Sequence, residues 1–160
     1  MSHEYTYDIS MFRDTFETRF TYLNGFLRNV SRFGSRPALF DPHSGRRWTY
    51  RELNAEANRL AHALRADGVG KNDVVMFTLL NSPEFVFCYL AAHKIGAIAC
   101  PVNYRQGAGE IALVIDDSTP KAFIYDAEFG ELSGGALDLC ESKPAIKIVV
   151  GADDAVPAGQ

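Results

Sequence analysis

The chain has 160 residues, enough for one domain that buries a stable core without disulfides or metals. Hydrophobic residues make up 47% and charged residues 22%, a balance typical of a soluble globular domain and unlike that of a disordered chain. The net charge of −4, with scattered basic residues, predicts no nucleic-acid partner, because nucleic-acid-binding domains carry basic patches.

Three features of the sequence predict a cytoplasmic protein. Its cysteines, Cys88, Cys100 and Cys140, form no close-spaced pair and lie in apolar segments, as buried reduced thiols do. Residues 1–14 are polar and acidic, unlike a secretory signal peptide. The longest strongly apolar run, residues 85–92, is too short to cross a bilayer, so we expect no membrane span.

The first predicted elements are two short strands and a long helix. Residues 38–40 and 46–49 flank the turn-forming sequence Asp-Pro-His-Ser-Gly, which predicts a β-hairpin. Thr49 is a suitable helix N-cap, and Glu52 stands where its side chain completes a capping box. The helix that follows has one apolar face and ends at Gly68, a residue that tolerates left-handed geometry. The residues of that face are Leu53, Ala57, Leu60, Ala61 and Leu64.

Strands and helices alternate after residue 73. The predicted strands are apolar runs without alternation, as expected of a sheet covered on both faces: 74–80, 97–100, 122–125 and 146–150. The predicted helices between them are 84–95, 110–117 and 131–141. This alternation predicts an α/β fold, a mostly parallel sheet with helices on both faces and a hairpin near its start.

Two of these helices differ in how well their ends are specified. Ser82 and Pro83 are the expected cap and first residue of helix 84–95, and Gly96 is expected to end it. That helix is apolar almost all round and should be deeply buried. Residues 106–110 offer no Ser or Thr cap, so we expect the next helix to begin loosely.

A series of short motifs occurs in the order and at the separations of one enzyme superfamily. The motifs are Arg36-Pro37-Ala38-Leu39, Trp48-Thr49-Tyr50-Arg51-Glu52-Leu53, Asn58-Arg59-Leu60-Ala61, Gly68-Val69, Asn81-Ser82-Pro83-Glu84-Phe85, Lys94-Ile95-Gly96-Ala97, Pro101-Val102-Asn103-Tyr104-Arg105 and Asp117-Ser118-Thr119-Pro120-Lys121. Over residues 15–151 the chain therefore resembles the N-terminal portion of the adenylate-forming (AMP-binding) superfamily, of the acyl-CoA synthetase or fatty-acid–CoA ligase type. Asn72 stands where that superfamily usually has glycine, and we expect it to accept a positive φ.

The resemblance implies an activity for a longer enzyme. Such an enzyme activates a carboxylic acid with ATP and Mg²⁺ to an acyl-adenylate, and a thiol, most often that of coenzyme A, then displaces AMP. The superfamily's Ser/Thr/Gly-rich phosphate loop and catalytic lysine have no counterpart here, so the resemblance assigns no catalytic residue. We expect the piece alone to be inactive, to bind none of these cofactors tightly, and to self-associate through exposed apolar surface.

The resemblance also implies partners and a division of the chain. The partners would be the rest of the same enzyme and, in that enzyme, a small-molecule carboxylic acid. Residues 1–14 would be an N-terminal extension, residues 15–151 the α/β subdomain, and residues 152–160 a linker or truncated end.

Arg105 is the one binding residue that the resemblance suggests. In some CoA ligases, an arginine just after the Pro-x-x-Asn turn contacts a phosphate of coenzyme A. A guanidinium presents a planar fork of donors that suits phosphate. The alternative is that Arg105 is a solvated surface residue.

Two other functions stay open. Gly107-x-Gly109-x-x-Ala112, followed by Asp126, imitates a dinucleotide-binding fingerprint and would fit a small NAD-binding oxidoreductase. That fingerprint needs its first glycine directly after a strand, and residues 102–106 intervene here. The other alternative is a stand-alone, non-catalytic interaction module on the same scaffold.

The remaining polar and aromatic candidates are interpreted as structural. His62 and His93 are expected to be packed or hydrogen-bonded in the core, and the spacing of His93 from Cys88 does not predict a metal site. Asn81 and Asn103 follow strands and are expected to stabilise turns. Helical packing, or a subunit contact, explains the spacing of five N-terminal aromatic residues: Phe12, Phe16, Phe20, Tyr22 and Phe26.

Overall fold

The computed structural model describes residues 8–151, within which helices and strands alternate. In chain order the elements are α1 (Ile9–Phe12), a π-helical segment (Arg13–Arg19), α2 (Tyr22–Phe33), β1 (Pro37–Phe40), β2 (Arg47–Thr49), α3 (Tyr50–Ala66), β3 (Val74–Thr78), α4 (Pro83–Ile95), β4 (Ile98–Pro101), α5 (Ala108–Ser118), β5 (Ala122–Asp126), a 3₁₀ turn (Ala127–Phe129), α6 (Gly130–Leu139) and β6 (Ile146–Val150). Part of the expected N-terminal extension and all of the expected tail lie outside the described residues.

Four parallel strands form the central sheet in the order β4-β3-β5-β6. Strands β1 and β2 form the separate antiparallel hairpin that the sequence predicts. Each parallel connection passes through a helix, because two parallel neighbours cannot be joined by a tight turn. The predicted fold class is confirmed.

Helices cover both faces of the sheet, and β3 has a fully buried centre. Val75 and Phe77 pack against α3 and α4 on one face, and Met76 packs against α5 and α6 on the other. All three residues are 0% exposed. This double burial explains why the strand reads as an apolar run without alternation.

A third apolar cluster lies on the outer side of α3 and α4. The hairpin and α2 close it, with Trp48 and Phe26 packed beside Leu53 and Leu90. The Trp48 ring meets Phe87 edge-on, with centroids 5.8 Å apart. Phe26 is the one member of the N-terminal aromatic set that is buried.

The other N-terminal rings lie on helical turns but remain exposed. Successive centroids of Phe12, Phe16 and Phe20 are 4.8 and 5.8 Å apart. These three side chains are 41%, 55% and 64% exposed. The helical spacing is therefore confirmed, while the rings cover one another instead of a core.

No helix within residues 8–151 is long and apolar enough to cross a membrane.

Local signals in the sequence predicted several element ends. Thr49 and Glu52 form the predicted capping box: Glu52 Oε2 accepts from Thr49 N at 2.8 Å, and Glu52 N donates to Thr49 Oγ1 at 3.3 Å. Ser82 and Pro83 begin α4 as predicted, and Gly96 ends it at a φ of 73°. Asn72 has a φ of 68°, which confirms the expected positive φ at that turn.

Several boundaries differ from the prediction by one or two residues; β3, for example, ends at Thr78 and not at residue 80. Helix α5 begins at Ala108, two residues before the predicted start; its N-cap Gly107 provides no side-chain cap, and the N–H of Gly107 donates to Glu110 Oε2 at 2.8 Å. Strand β4 includes Pro101 at its end, since the next amide, Val102 N, continues the ladder by donating to Phe77 O. Helix α6 ends at Leu139, two residues before the predicted end at residue 141.

Candidate functional site

The sheet topology creates a crevice at the carboxyl ends of the strands. From β3 the chain passes to β4 on one side, and it then returns to β5 on the other side of β3. Ligands of open parallel sheets bind where the strand order reverses in this way. The segments that line this edge follow β3, β4 and β5, and they include residues 79–82, 102–107 and 126–130.

Residues 103–106 form a tight turn, called here the 103–106 turn, that presents Arg105. Asn103 Oδ1 accepts from Arg105 N at 3.0 Å, and Asn103 O accepts from Gln106 N at 3.1 Å. The prediction that Asn103 stabilises a turn is confirmed. No described residue forms such a bond with the side chain of Asn81, so the structure does not support the same prediction there.

An aromatic stack connects this turn to the segment that follows β5. The rings of Tyr104 and Phe129 are nearly parallel, at 10°, with centroids 5.0 Å apart. The guanidinium carbon of Arg105 lies 5.6 Å from the centroid of Tyr104. The stack joins the connection after β4 to the 3₁₀ turn after β5, so it holds Tyr104, the neighbour of Arg105, at the sheet edge. The sequence analysis missed Phe129, because the two rings belong to connections that are distant in the chain.

The charge of Arg105 is available for an anion. Arg105 is exposed, and no carboxylate within residues 8–151 lies at ion-pair distance from it. Its backbone amide is already bonded to Asn103, so the side chain is the part of this residue that can bind a ligand. A single guanidinium in this setting can recognise a phosphate, but it provides no group for proton or group transfer.

A second feature of the carboxyl edge is a cavity of about 320 Å³ beside the first turn of α4. Its polar lining is mainly acidic and neutral: Asp41, His43, Asn81, Ser82, Glu84 and Asp126. A hydrogen bond from the Ser44 hydroxyl, followed by one from His43 N, holds the pKa of Asp41 below its ordinary value. Asp126 Oδ1 accepts from Glu128 N at 3.0 Å. Since the lining contains no lysine or arginine, this cavity does not suit a polyphosphate.

The glycines of the apparent dinucleotide fingerprint do not form a phosphate site. Gly107 N donates to Glu110 Oε2, so a carboxylate occupies the position that a pyrophosphate would need. Strand β3 separates β4 from β5, so Asp126 does not end the strand next to β4. The fingerprint requires both features in one βαβ unit.

Within residues 8–151 the cysteines and histidines form no metal centre, and Cys88 is not a nucleophile. Burial raises the pKa of Cys88 to about 12, and the nearby Glu84 adds to the effect, so the thiol stays protonated at neutral pH. His93 lies half-buried with Nδ1 2.7 Å from Tyr89 O, which confirms its structural role. His62 is exposed, so the prediction that it is a core residue is wrong: it lies just off the apolar face of α3. Among the described residues, no three His, Cys, Asp or Glu side chains are grouped to hold a metal.

Comparison with known proteins identifies the family. Residues 26–159 match the family described as AMP-binding enzyme. The chain belongs to this family. It is 43% identical over 107 residues to the 3-hydroxybenzoate–CoA/4-hydroxybenzoate–CoA ligase of Thauera aromatica, a match that covers 67% of this chain and 20% of that protein.

Solved structures of this family share the fold. A protein of Rhodopseudomonas palustris assigned as a long-chain-fatty-acid CoA ligase superposes with a TM-score of 0.75 at 33% identity, over 82% of this chain and 33% of that one. The N-terminal domain of FACL13 from Mycobacterium tuberculosis gives a TM-score of 0.72 at 31% identity, over 78% of this chain and 32% of that one. The chain spans about a fifth of the length of the curated relatives it matches. It matches part of the N-terminal domain of acyl-CoA ligases.

Proposed function

We propose that this chain is the N-terminal part of an ATP-dependent acyl-CoA synthetase. The longer enzyme would convert a carboxylic acid and ATP to an acyl-adenylate, with Mg²⁺, and then form a thioester with coenzyme A. The observation that carries the proposal is the match of residues 26–159 to AMP-binding enzymes, together with the likeness of the fold to the N-terminal domains of acyl-CoA ligases. ATP and coenzyme A are the general substrates of such ligases. We propose residues 15–151 as the structural unit and the cytoplasm as its location, with the three free thiols in support.

Within that enzyme, Arg105 would bind a phosphate of coenzyme A. Its exposed guanidinium has no carboxylate partner in residues 8–151, and its backbone is held by the 103–106 turn, beside the Tyr104–Phe129 stack. Because the backbone of Arg105 is already held, binding an anion orders the arginine side chain without also ordering the turn. This residue therefore offers the clearest anion contact at the carboxyl edge.

The binding test uses the 160-residue chain and backbone-amide NMR spectra. Coenzyme A at millimolar concentration should shift the Arg105 amide signal, while pantetheine, which lacks the nucleotide phosphates, should not. Arg105→Ala should abolish the response. Arg47→Ala is the matched control, because Arg47 is also an exposed arginine beside a ring, 4.5 Å from Phe40. Equal responses to coenzyme A and pantetheine would exclude the phosphate contact.

The isolated chain should not catalyse adenylation. The cavity at the crevice has an acidic lining, and the described carboxyl edge offers Arg105 as its exposed phosphate-binding side chain. Adenylation requires several donors and cations around the reacting phosphorus. The test is ATP–pyrophosphate exchange with a hydroxybenzoate and with a long-chain fatty acid as acceptors. Exchange above the level of a protein-free blank would contradict the proposal and place catalytic groups within these 160 residues.

The isolated chain should also self-associate through β6. Within the described residues β6 pairs with β5 along one edge, and its sequence Ile-Lys-Ile-Val-Val has a high β-propensity. Val149 is 38% exposed on this strand, and a cavity of about 250 Å³ lies over Ile148 and Val150. Apart from the exposed Lys147, β6 is an apolar strand with an unpaired edge, and such an edge is a template for another strand. We propose that a second copy of the chain occupies this edge in solution.

A further inference from the structure

Three buried polar atoms have no hydrogen-bond partner within residues 8–151. They are Thr78 Oγ1, Gln106 Oε1 and Ser133 Oγ. Thr78 and Ser133 are both 0% exposed. A buried hydroxyl or amide without a partner costs about 1–3 kcal/mol, so three of them in one small domain require an explanation.

Thr78 and Ser133 belong to the same layer of the structure. Side chains alternate along a strand, so Thr78 projects on the same face of β3 as Met76, which packs against α5 and α6. Thr78 is the last residue of β3 and lies level with Tyr125 of β5. Ser133 lies in the first turns of α6, on the buried side that Ala136 continues. Both hydroxyls are thus at the carboxyl end of the sheet, between the sheet and α6.

Gln106 lies between two residues, Tyr104 and Ala108, that both contact the segment around Ser133. On one side, Tyr104 stacks on Phe129, which precedes Ser133 by one helical turn. On the other side, Ala108 Cβ lies 3.4 Å from the place where a Cβ of Gly135 would be. Gln106 is between Tyr104 and Ala108, and Ser133 is between Phe129 and Gly135. The interface that joins the 103–106 turn to α6 therefore contains both polar groups.

The three groups are complementary to one water molecule. A hydroxyl can donate or accept, whereas the Gln106 carbonyl oxygen accepts. One water can donate to Gln106 Oε1 and to one hydroxyl while it accepts from the other hydroxyl. Buried waters typically make about three such bonds to polar groups that would otherwise be unsatisfied.

We propose that Thr78, Gln106 and Ser133 form a polar site that holds one ordered water and anchors the 103–106 turn to the sheet and to α6. Gln106 directly follows Arg105, so the anchor also makes Thr78, Gln106 and Ser133 positioning residues for Arg105. The positioning role rests on the phosphate contact proposed for Arg105. The water site and the anchoring of the turn do not depend on it.

A matched pair of substitutions separates anchoring from packing. Thr78→Val keeps the shape of the side chain and removes the hydroxyl, while Thr78→Ser keeps the hydroxyl and removes a methyl group. The measurement is amide hydrogen exchange by mass spectrometry of the 160-residue chain, on peptides that cover residues 102–107. If the water anchors the turn, Thr78→Val accelerates exchange at Arg105 and Gln106 by about five- to tenfold, as expected for one lost hydrogen bond of ordinary strength. Thr78→Ser should exchange like the unchanged chain.

The opposite ordering would overturn the proposal. If Thr78→Ser accelerates exchange and Thr78→Val does not, the residue acts by packing; if neither changes it, the site does not anchor the turn. Amides of the β1–β2 hairpin serve as the internal control, because they lie in a different cluster. A crystal structure of the chain supplies the second readout: one water bonded to all three atoms supports the site, whereas direct bonds among them, or no water, refute it.

These experiments also distinguish this inference from the proposed phosphate contact. Arg105→Ala leaves Thr78, Gln106 and Ser133 intact, so it should abolish the response to coenzyme A without changing exchange at Gln106. Thr78→Val should weaken the coenzyme A response while Arg105 remains. A normal coenzyme A response in Thr78→Val, with faster exchange, would overturn the positioning role and retain the anchor.

Discussion

Lys121 Nζ lies 3.0 Å from Asp73 Oδ2 and donates a second hydrogen bond, of 2.6 Å, to Gly68 O. Asp73 Oδ2 also accepts from Gly70 N at 2.8 Å. Lys121 immediately precedes β5 and Asp73 immediately precedes β3, so the pair joins the amino ends of the two central strands to the turn after α3. This edge of the sheet is opposite to the one that carries Arg105.

The first prediction concerns the pH dependence that this pair produces. The hydrogen bond from Gly70 N, and then that from Lys121, hold the pKa of Asp73 below its ordinary value. Because folding lowers this pKa, the ionised carboxylate stabilises the fold above the pKa of the unfolded chain, and the benefit is lost as the pH falls through the folded pKa. Asp73→Asn should therefore lower the stability at pH 7, and the difference from the unchanged chain should shrink as the pH falls below about 4.

Urea unfolding at a series of pH values measures this difference. Asp138→Asn is the control, because Asp138 is exposed on α6 and its carboxylate forms no ion pair within the described residues. Its unfolding midpoint should follow that of the unchanged chain at every pH. A constant gap between Asp73→Asn and the unchanged chain from pH 7 to pH 3 would show that the carboxylate charge is not the source of the stabilisation.

The second prediction is a stabilising substitution at the end of α5. Thr119 has a φ of 42° and is followed by Pro120, although β-branched residues rarely adopt positive φ. Its side chain is exposed, so the strain is not offset by burial. Thr119→Asn should raise the free energy of unfolding by about 0.5–1 kcal/mol, since asparagine tolerates this geometry.

Thermal and urea unfolding of matched variants test the strain at Thr119. Thr119→Ala removes the same hydroxyl and methyl groups but keeps a Cβ that resists positive φ, so it should gain much less than Thr119→Asn. If alanine and asparagine stabilise equally, the gain comes from removing the β-branch and not from relief of the backbone.

Local sequence signals account for the parts of the fold that were predicted correctly. The capping box of Thr49 and Glu52, the start of α4 at Ser82, and the positive φ of Asn72 each depend on residues within one turn of the chain. Short-range chemistry of this kind can be read from consecutive residues. Conversely, α5 begins earlier than predicted although Gly107 provides no side-chain cap; Glu110 satisfies the N–H of Gly107 itself.

The sequence predicted one residue of the candidate site, Arg105, but not the contacts that hold the turn around it. Arg105 came from a motif shared with a family, whereas the stack of Tyr104 on Phe129 depends on which strands are neighbours. Thr78 ends an apolar strand as an ordinary β-forming residue, and nothing in the sequence shows that its hydroxyl lacks a partner. Contacts between distant segments depend on which strands are neighbours, so they can be identified only once the order of the strands in the sheet is known.

The third prediction is that the Tyr104–Phe129 stack stabilises the 103–106 turn. Offset aromatic pairs contribute about 0.5–1.5 kcal/mol beyond the area that they bury. Phe129→Leu keeps an apolar side chain and removes the ring, so it should lower the free energy of unfolding by about 1 kcal/mol. A double-mutant cycle with Tyr104→Leu should give a coupling energy of about 0.5 kcal/mol or more.

A second double-mutant cycle, between two aromatic residues that do not touch, is the control. Phe40 and Tyr104 lie in different layers and share no ring contact, so Phe40→Leu and Tyr104→Leu should be additive within error. If the Tyr104–Phe129 cycle is equally additive, the parallel rings are neighbours without a specific stabilising contact. The position of the 103–106 turn would then depend on its backbone hydrogen bonds alone.

The last prediction concerns the free edge of β6. A lysine on an edge strand opposes pairing with a second strand, because its charge would have to be desolvated beside the partner's backbone. Val149→Lys should therefore keep the chain monomeric at concentrations about tenfold higher than those at which the unchanged chain associates, since a loss of about 1.4 kcal/mol in association free energy corresponds to that factor. Leu113→Lys makes the same change of charge at an apolar side chain of α5 that is 71% exposed. In sedimentation velocity across a concentration series, Leu113→Lys should behave like the unchanged chain. Equal effects of the two lysines would assign the association to general apolar surface, and a monomer at all concentrations in the unchanged chain would mean that the edge of β6 does not recruit a second copy.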